Sequence, residues 1–228
     1  GDEYIVSWAF GHLFSLADVE SYSSVSSSPG AGWTLDNLPC FPDTFRFELR
    51  RKADKTVDAG VEKQFRILCE LCNRPDVDTI VNAGDADREG EIIVRTCVNK
   101  ALKSPKAQKR RWLPDQTPET VRAAFAEMKD DSDYDNLASE GYARTYIDWL
   151  YGVNLTRLAT LRTGTLLRVG RVIVPIVRAI YDRDMAIRNF KPEKYFVAQS
   201  RAETAGEVVE LTSKKKFPFT DRAGATAL

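Results

Sequence analysis

The sequence predicts an α/β domain with a mostly parallel sheet, followed by a mainly α-helical domain and by the start of a β-containing domain. Residues 79–83 are apolar and β-branched, as in a central parallel strand, and a helical pattern follows them. Residues 134–190 show mainly helical spacing. Residues 195–198 and 208–211 resemble the two strands of a hairpin. The predicted domains are residues 1–130, 131–193 and 194–228.

The first domain begins with patterns of strand, loop, strand and helix. Residues Tyr4–Phe10 read as a strand, and the Ser- and Gly-rich stretch Ser21–Gly32 reads as a loop. Apolar and polar residues alternate strictly in Phe45–Arg50, which predicts a half-buried strand. Apolar residues recur at intervals of three and four in Val61–Cys72, which predicts a helix.

Helices dominate the rest of the predicted structure. One is expected from about Glu89 to Leu102, directly after the apolar strand. Thr117 followed by Pro118 is a typical helix start, with a capping hydroxyl and a proline at the first helical position. Longer helices are expected at residues 137–150 and 172–187.

Composition favours a protein without a membrane segment. The 228 residues are 43% hydrophobic and 29% charged, with no apolar run of membrane-spanning length and no secretory leader, so we expect a cytoplasmic location. The chain begins without Met and ends like the first turn of a helix, so we expect it to be part of a longer protein.

The charge is balanced overall but unevenly distributed. Residues 100–111 contain six basic residues and no acid, and residues 141–191 contain nine basic residues against three acidic ones. Such segments favour a polyanionic partner, although surface charge also serves solubility. The four cysteines include one close pair, Cys69 and Cys72, but a zinc ribbon needs a second pair, so we expect reduced thiols in a core.

Three carboxylates, Asp85, Asp87 and Glu89, follow the predicted central strand within five residues. They repel one another unless a cation neutralises them, and ligation by oxygen alone favours Mg²⁺. A calcium-binding EF-hand would need a glutamate where this chain has Thr96. A solvated helix cap would need only one carboxylate. The sequence therefore predicts a magnesium site after this strand.

The segment Asp85–Glu91 resembles the acidic signature of the Toprim domain in type IA DNA topoisomerases, especially the bacterial topoisomerase III group. Three other segments are similar to the family in order and spacing: Trp8–Leu13, Lys109–Trp112 with Thr117, and Ala143–Arg144 with Asp148–Arg157. Pro114 and Asp115 replace a usual pair of serines.

One further segment, Leu167–Pro175, matches the family only in part. Gly170, Arg171, Val172 and Pro175 fit its pattern, whereas polar residues are replaced by Arg168, Ile173 and Val174. The resemblance implies that this segment lines the groove for single-stranded DNA. The substitutions would therefore alter a contact with a base or with the DNA backbone, and Arg168 could supply a phosphate contact instead.

The resemblance implies a Rossmann-like Toprim domain, then a helical domain that binds single-stranded DNA, then the start of the strand-passage arch. The enzyme would break, pass and reseal single DNA strands through a 5'-phosphotyrosine intermediate. It would act as a monomer in the cytoplasm, associated with the nucleoid, with Mg²⁺ as cofactor, single-stranded DNA as partner and no membrane contact. The alternatives are a non-catalytic DNA-binding scaffold and another Toprim enzyme, a nuclease or primase.

The resemblance also assigns residues. Mg²⁺ would be held by Asp85, Asp87 and Glu89, with Glu89 and Arg171 in catalysis. The nucleophilic tyrosine is expected outside this chain, because Tyr146, the nearest match, lacks the Arg-Thr that follows it in the family. No first-strand glutamate of the family's kind is found. Expected DNA-binding residues are Arg144, Arg157, Arg168, Arg171, Lys109 and Arg110, with Trp149 and Tyr151 as stacking candidates.

Overall fold

The structure is a computed structural model that describes residues 4–22 and 33–227. By packing, the chain forms two compact units, residues 1–174 and 175–228. The domain boundaries at residues 130 and 193 stay a prediction, and most of the predicted loop at Ser21–Gly32 lies outside the described residues. No helix in the described ranges is both long enough and apolar enough to cross a membrane.

The first unit opens with a small antiparallel sheet of β1 (Phe14–Leu16) and β2 (Phe47–Leu49). Helix α1 (Ala59–Cys72) follows, capped by the Asp58 carboxylate, which accepts the amides of its first turn. The prediction of β2 and α1 is confirmed. The predicted strand at Tyr4–Phe10 is wrong, because these residues pair with no strand in the described part of the chain. Their apolar pattern fitted a strand, but a strand also needs a partner.

A second sheet carries the acidic residues. Strand β3 (Thr79–Asn82) pairs in parallel with β4 (Ala107–Arg110), and α2 (Arg88–Ala101) connects them. Strand β5 (Lys129–Asp130) adds to β4 in the antiparallel sense, after α3 (Pro118–Ala126). The predicted α/β organisation is confirmed as a β-α-β unit, with one parallel and one antiparallel pairing in this sheet.

The long helix α4 (Asp135–Thr163) packs across α2 and ends at Gly164, whose φ of +71° suits glycine. The two helices touch at Gly141, where a Cβ atom would lie 2.6 Å from Cγ2 of Ile92. Farther along, the ring of Tyr146 stacks on Phe45 with centroids 4.3 Å apart. Glycine packing and aromatic stacking therefore fix α4 to the α/β part of the unit.

The core of the first unit lies between β1, α1 and α2. Its buried members are Leu13, Phe14, Val61 and Cys97. Burial raises the pKa of the Cys97 thiol to about 11, so this thiol stays protonated at neutral pH. All four cysteines are free, and Cys72 and Cys97 are buried.

The second unit contains most of α5 (Ile173–Arg188), then β6 (Tyr195–Phe196), β7 (Gln199–Thr204), β8 (Glu207–Thr212), β9 (Phe217–Pro218) and α6 (Arg222–Thr226). The hairpin is β7 and β8, so its first strand lies later than predicted, and β6 pairs with β9 instead. The turn sets this register, because Ala205 and Gly206 have φ of 52° and 80°, as in a two-residue hairpin turn.

Candidate functional site: the acidic loop and its ion pairs

The acidic residues lie in the acidic loop, residues 83–89, which joins the carboxyl end of β3 to α2. Two glycines let this loop fold tightly. A Cβ atom on Gly84 would lie 2.2 Å from the carbonyl oxygen of Gly90, and one on Gly90 would lie 2.4 Å from the amide nitrogen of Asp85. The backbone before Asp85 therefore contacts the first turn of α2 directly, at the end of the sheet where α/β proteins bind ligands.

Each acidic side chain of the loop has a different environment. Asp87 caps α2, because its Oδ1 accepts the Gly90 amide at 2.7 Å. Glu89 reaches out of the first turn, with Oε2 3.2 Å from Nε2 of His12 and Oε1 3.4 Å from Nη1 of Arg144. Asp85 lines a cavity of about 840 Å³, which Lys109 also lines.

These contacts continue into an ion-pair chain, which consists of His12, Glu89, Arg144, Asp148 and Arg171. Arg144 lies 3.7 Å from Asp148 through its Nε, and the guanidinium of Arg171 pairs with the same carboxylate. This pairing raises the pKa of Arg171. All five side chains remain 36–45% exposed. Exposed pairs of this kind stabilise a fold by only ~0.2–1 kcal/mol, so a phosphate can replace a carboxylate at low cost.

The predicted magnesium ligands are neighbours in sequence but do not converge. Within the described residues, no group of three or more His, Cys, Asp or Glu side chains is close enough to hold a metal ion. Carboxylate oxygens are the kind of ligand that Mg²⁺ prefers in proteins. Binding would require Asp87 to leave the Gly90 amide, and Glu89 to leave His12 and Arg144.

Among the predicted DNA-binding residues, Arg144 and Arg171 lie together in the ion-pair chain. Arg168 is exposed, and no ion pair involves it in the part of the chain that the structure describes. Lys109 is 39% exposed and pairs with Asp130 at 2.7 Å.

Two of the predicted DNA-binding residues lie away from solvent. The Arg157 side chain is 13% exposed, because it pairs with Glu20 at 2.8 Å and lies over the Trp33 ring at 4.9 Å. Arg110 is 0% exposed and lies inside the first unit. A buried guanidinium cannot contact a DNA phosphate, so this position does not agree with the prediction for Arg110.

The aromatic residues of α4 pack mainly within the protein. Trp149 packs edge to face against the rings of Tyr22 and Phe45, with centroids 5.5 and 5.6 Å apart, so it is a poor stacking surface for bases. Tyr151 is 37% exposed. Burial raises the pKa of Tyr146, which is unfavourable for a nucleophile.

Sequence reasoning missed a buried ion cluster beneath the acidic loop, formed by Glu91, Arg95, Arg110 and Asp131. Glu91 is 0% exposed, with Oε1 2.8 Å from Nε of Arg95 and Oε2 2.7 Å from Nε of Arg110. Burial lowers the pKa of Arg110 despite Glu91, and it raises the pKa of Asp131 despite Arg95. One signal was available, since Glu91 and Arg95 are one helical turn apart beside the apolar Ile92.

Comparison with known proteins identifies the family. A family described as DNA topoisomerase matches residues 132–228. DNA topoisomerase 3 of Bacillus licheniformis is 38% identical over 94% of this chain, and that of Bacillus thuringiensis is 37% identical over 98%. DNA topoisomerase 3 of Bacillus subtilis is 35% identical over 94% of the chain.

These similarities cover both the acidic loop and the helical region. The chain spans 28% of the length of each of these relatives. The resemblance of the four sequence segments and the similarity to these relatives agree with one another. The chain therefore belongs to the type IA DNA topoisomerases and corresponds to a segment of the bacterial topoisomerase 3 group.

Proposed function

We propose that this chain supplies the acidic loop and part of the single-strand groove to an enzyme that breaks, passes and reseals single DNA strands through a 5'-phosphotyrosine. The observation that carries the proposal is the ion-pair chain. His12, Glu89, Arg144 and Arg171 come from four separate segments that resemble the family, and their side chains form one connected set. Phosphoryl transfer needs positive charge beside the phosphate, which guanidinium groups supply directly and which neighbouring carboxylates can supply by binding a metal ion.

The arginines of the ion-pair chain would bind the DNA backbone. Arg144 and Arg171 would exchange Asp148 and Glu89 for phosphate oxygens, and their charge would stabilise the pentavalent phosphorus during transfer. Glu89, released from Arg144, would lie beside the reacting phosphate. In cleavage, the tyrosine hydroxyl loses its proton as its oxygen bonds to phosphorus and the bond from phosphorus to the 3' oxygen breaks; the Glu89 carboxylate would accept that proton and pass it to the 3' oxygen, and resealing would reverse both transfers.

The proposed reaction also needs a metal ion and a nucleophilic tyrosine. Mg²⁺ held by Asp85, Asp87 and Glu89 would supply positive charge that holds the phosphate during resealing. The nucleophilic tyrosine would come from outside this chain, because Tyr146 is stacked on Phe45 within the protein. We infer a monomer that acts on DNA at the bacterial nucleoid.

Single-strand binding tests the groove. We expect the purified chain to bind labelled oligothymidine, measured by fluorescence anisotropy, because Arg144 and Arg171 contact its phosphates. The double variant Arg144→Ala with Arg171→Ala should bind about tenfold more weakly. The slope of the logarithm of its binding constant against the logarithm of the salt concentration should become shallower by about 0.7 for each lost phosphate contact. Arg178→Ala is the matched control, since Arg178 is exposed and, among the residues that the structure describes, pairs with Asp182 on its own helix. Equal affinity of the double variant and the control would contradict the proposed groove.

A test of metal binding distinguishes the proposed enzyme from the alternative, a non-catalytic DNA-binding scaffold whose acidic loop no longer binds metal. We expect millimolar Mg²⁺ to raise the Tm of the chain, because binding to the folded state alone stabilises it. The double variant Asp85→Asn with Asp87→Asn should show no such rise, and Asp182→Asn serves as a control on an exposed helix. A Tm independent of Mg²⁺ in the unmodified chain would favour the scaffold.

A further inference from the structure

Arg110 lies beneath the acidic loop and touches its backbone at several points. Its Nη1 donates to the carbonyl oxygens of Asn82 at 3.2 Å and Gly84 at 2.8 Å, and its Nη2 donates to that of Asp85 at 2.6 Å. A further bond from Nη1 reaches the carbonyl of Arg111 at 3.0 Å. One guanidinium therefore joins the end of β3 to the residue that carries the first acid.

The other side of Arg110 is held by a buried carboxylate. Nε of Arg110 lies 2.7 Å from Oε2 of Glu91, and both side chains are 0% exposed. The guanidinium also lies over the rings of Trp112 and Tyr134, at 5.1 and 5.7 Å from their centroids. These contacts fix the guanidinium from α2, from the segment after β4 and from the turn before α4.

We propose that Arg110 is a positioning residue, which holds the backbone of the acidic loop in place at Gly84 and Asp85, directly after β3. The reason lies in donor geometry. Arginine presents five donors in a rigid fork, so it can bind four carbonyls while its Nε lies 2.7 Å from Glu91. A lysine offers three donors on one atom, so it can approach Glu91 or the loop carbonyls but cannot replace both sets of contacts.

Arg95 provides a matched comparison within the same buried cluster. It binds the other oxygen of Glu91 at 2.8 Å, and it pairs with Asp131 and Asp135 at 2.8 and 2.5 Å. Its guanidinium donates no hydrogen bond to residues 82–85 in the described structure. Replacing Arg95 therefore disturbs the cluster without removing the bonds to the acidic loop.

Hydrogen exchange of backbone amides tests this role, with Arg110→Lys and Arg95→Lys compared at matched global stability. We expect Arg110→Lys to speed exchange at Gly84 and Asp87 by about tenfold, because these amides donate to Oδ1 of Asn82 and to the carbonyl of Asp85, two residues whose carbonyls Arg110 binds. Arg95→Lys should leave these two amides unchanged. Equal effects of the two variants, or no effect of Arg110→Lys, would show that Arg110 only stabilises the fold.

A measurement on the unmodified chain covers the case in which Arg110→Lys does not fold. A guanidinium fixed on several sides rotates slowly, so NMR should resolve separate, slowly exchanging Nη signals for Arg110. A single averaged signal would overturn the proposal.

That this positioning serves metal binding rests on the proposed function. A titration with Mg²⁺ distinguishes the proposed metal site from the positioning role of Arg110. The Tm rise caused by Mg²⁺ should be lost in Arg110→Lys and kept in Arg95→Lys. Absence of any Tm rise in the unmodified chain would contradict the metal site alone, because hydrogen exchange still decides the role of Arg110.

Discussion

Replacing Glu91 with alanine is expected to lower the free energy of unfolding of the first unit by ~3–5 kcal/mol. The carboxylate is completely buried and faces both Arg95 and Arg110. Its removal leaves two guanidinium groups in the interior without their shared counter-ion, and neither can regain water without opening the unit. Since small domains are stable by only about 5–15 kcal/mol, this change would remove a large share of the stability of the unit.

Urea denaturation followed by tryptophan fluorescence measures this loss, because all four tryptophans lie in the first unit. Glu140→Ala is the control, since Glu140 is 57% exposed and pairs with Arg88 at the surface. That control should change the free energy of unfolding by less than ~1 kcal/mol. A similarly small loss for Glu91→Ala would show that the buried cluster does not hold the unit together.

Replacing Gly90 with alanine is expected to cost ~1–3 kcal/mol or more, by forcing the acidic loop away from α2. The added methyl group would lie within 2.4 to 2.8 Å of three backbone atoms of Asp85, and backbone cannot turn aside as a flexible side chain can. The displaced loop should also lose its response to Mg²⁺. The Tm with and without Mg²⁺ measures both effects.

Gly60→Ala is the matched control, because Gly60 occupies the first turn of α1 and a Cβ atom there meets only the Asp58 side chain at 3.3 Å. The tight contact with the capping Asp58 side chain offsets part of the better helix propensity of alanine, so this variant should change the free energy of unfolding by less than ~1 kcal/mol. Equal stability of the two variants would contradict the close contact between the loop and α2.

The parts of the fold that sequence predicted well are those set by local patterns. The β-branched strand before Asp85, the spacing in α1 and the capping at Thr117 depend on neighbouring residues, and the structure places these elements within a few residues of the predictions. The strand predicted at Tyr4–Phe10 failed because pairing depends on a distant partner. The hairpin moved because its turn lies at Ala205 and Gly206.

In the candidate site too, the sequence predicted what lies in one continuous segment and missed the contacts between distant segments. The sequence located the acidic loop and the arginines, because both occur in compact segments. It could not place Arg110, which lies in a basic run that resembles solvated surface, while its counter-ion Glu91 lies on another element. The contact of Glu89 with Arg144 joins residues on two helices, and no spacing rule predicts it.

We propose that single-stranded DNA binds this segment at the ion-pair chain from His12 to Arg171. NMR shift mapping of the chain during titration with oligothymidine tests it most directly. We predict that the largest shifts occur at His12, Glu89, Arg144 and Arg171, while the hairpin of β7 and β8 is unaffected. Shifts confined to that hairpin, or spread evenly over the basic surface, would contradict the claim.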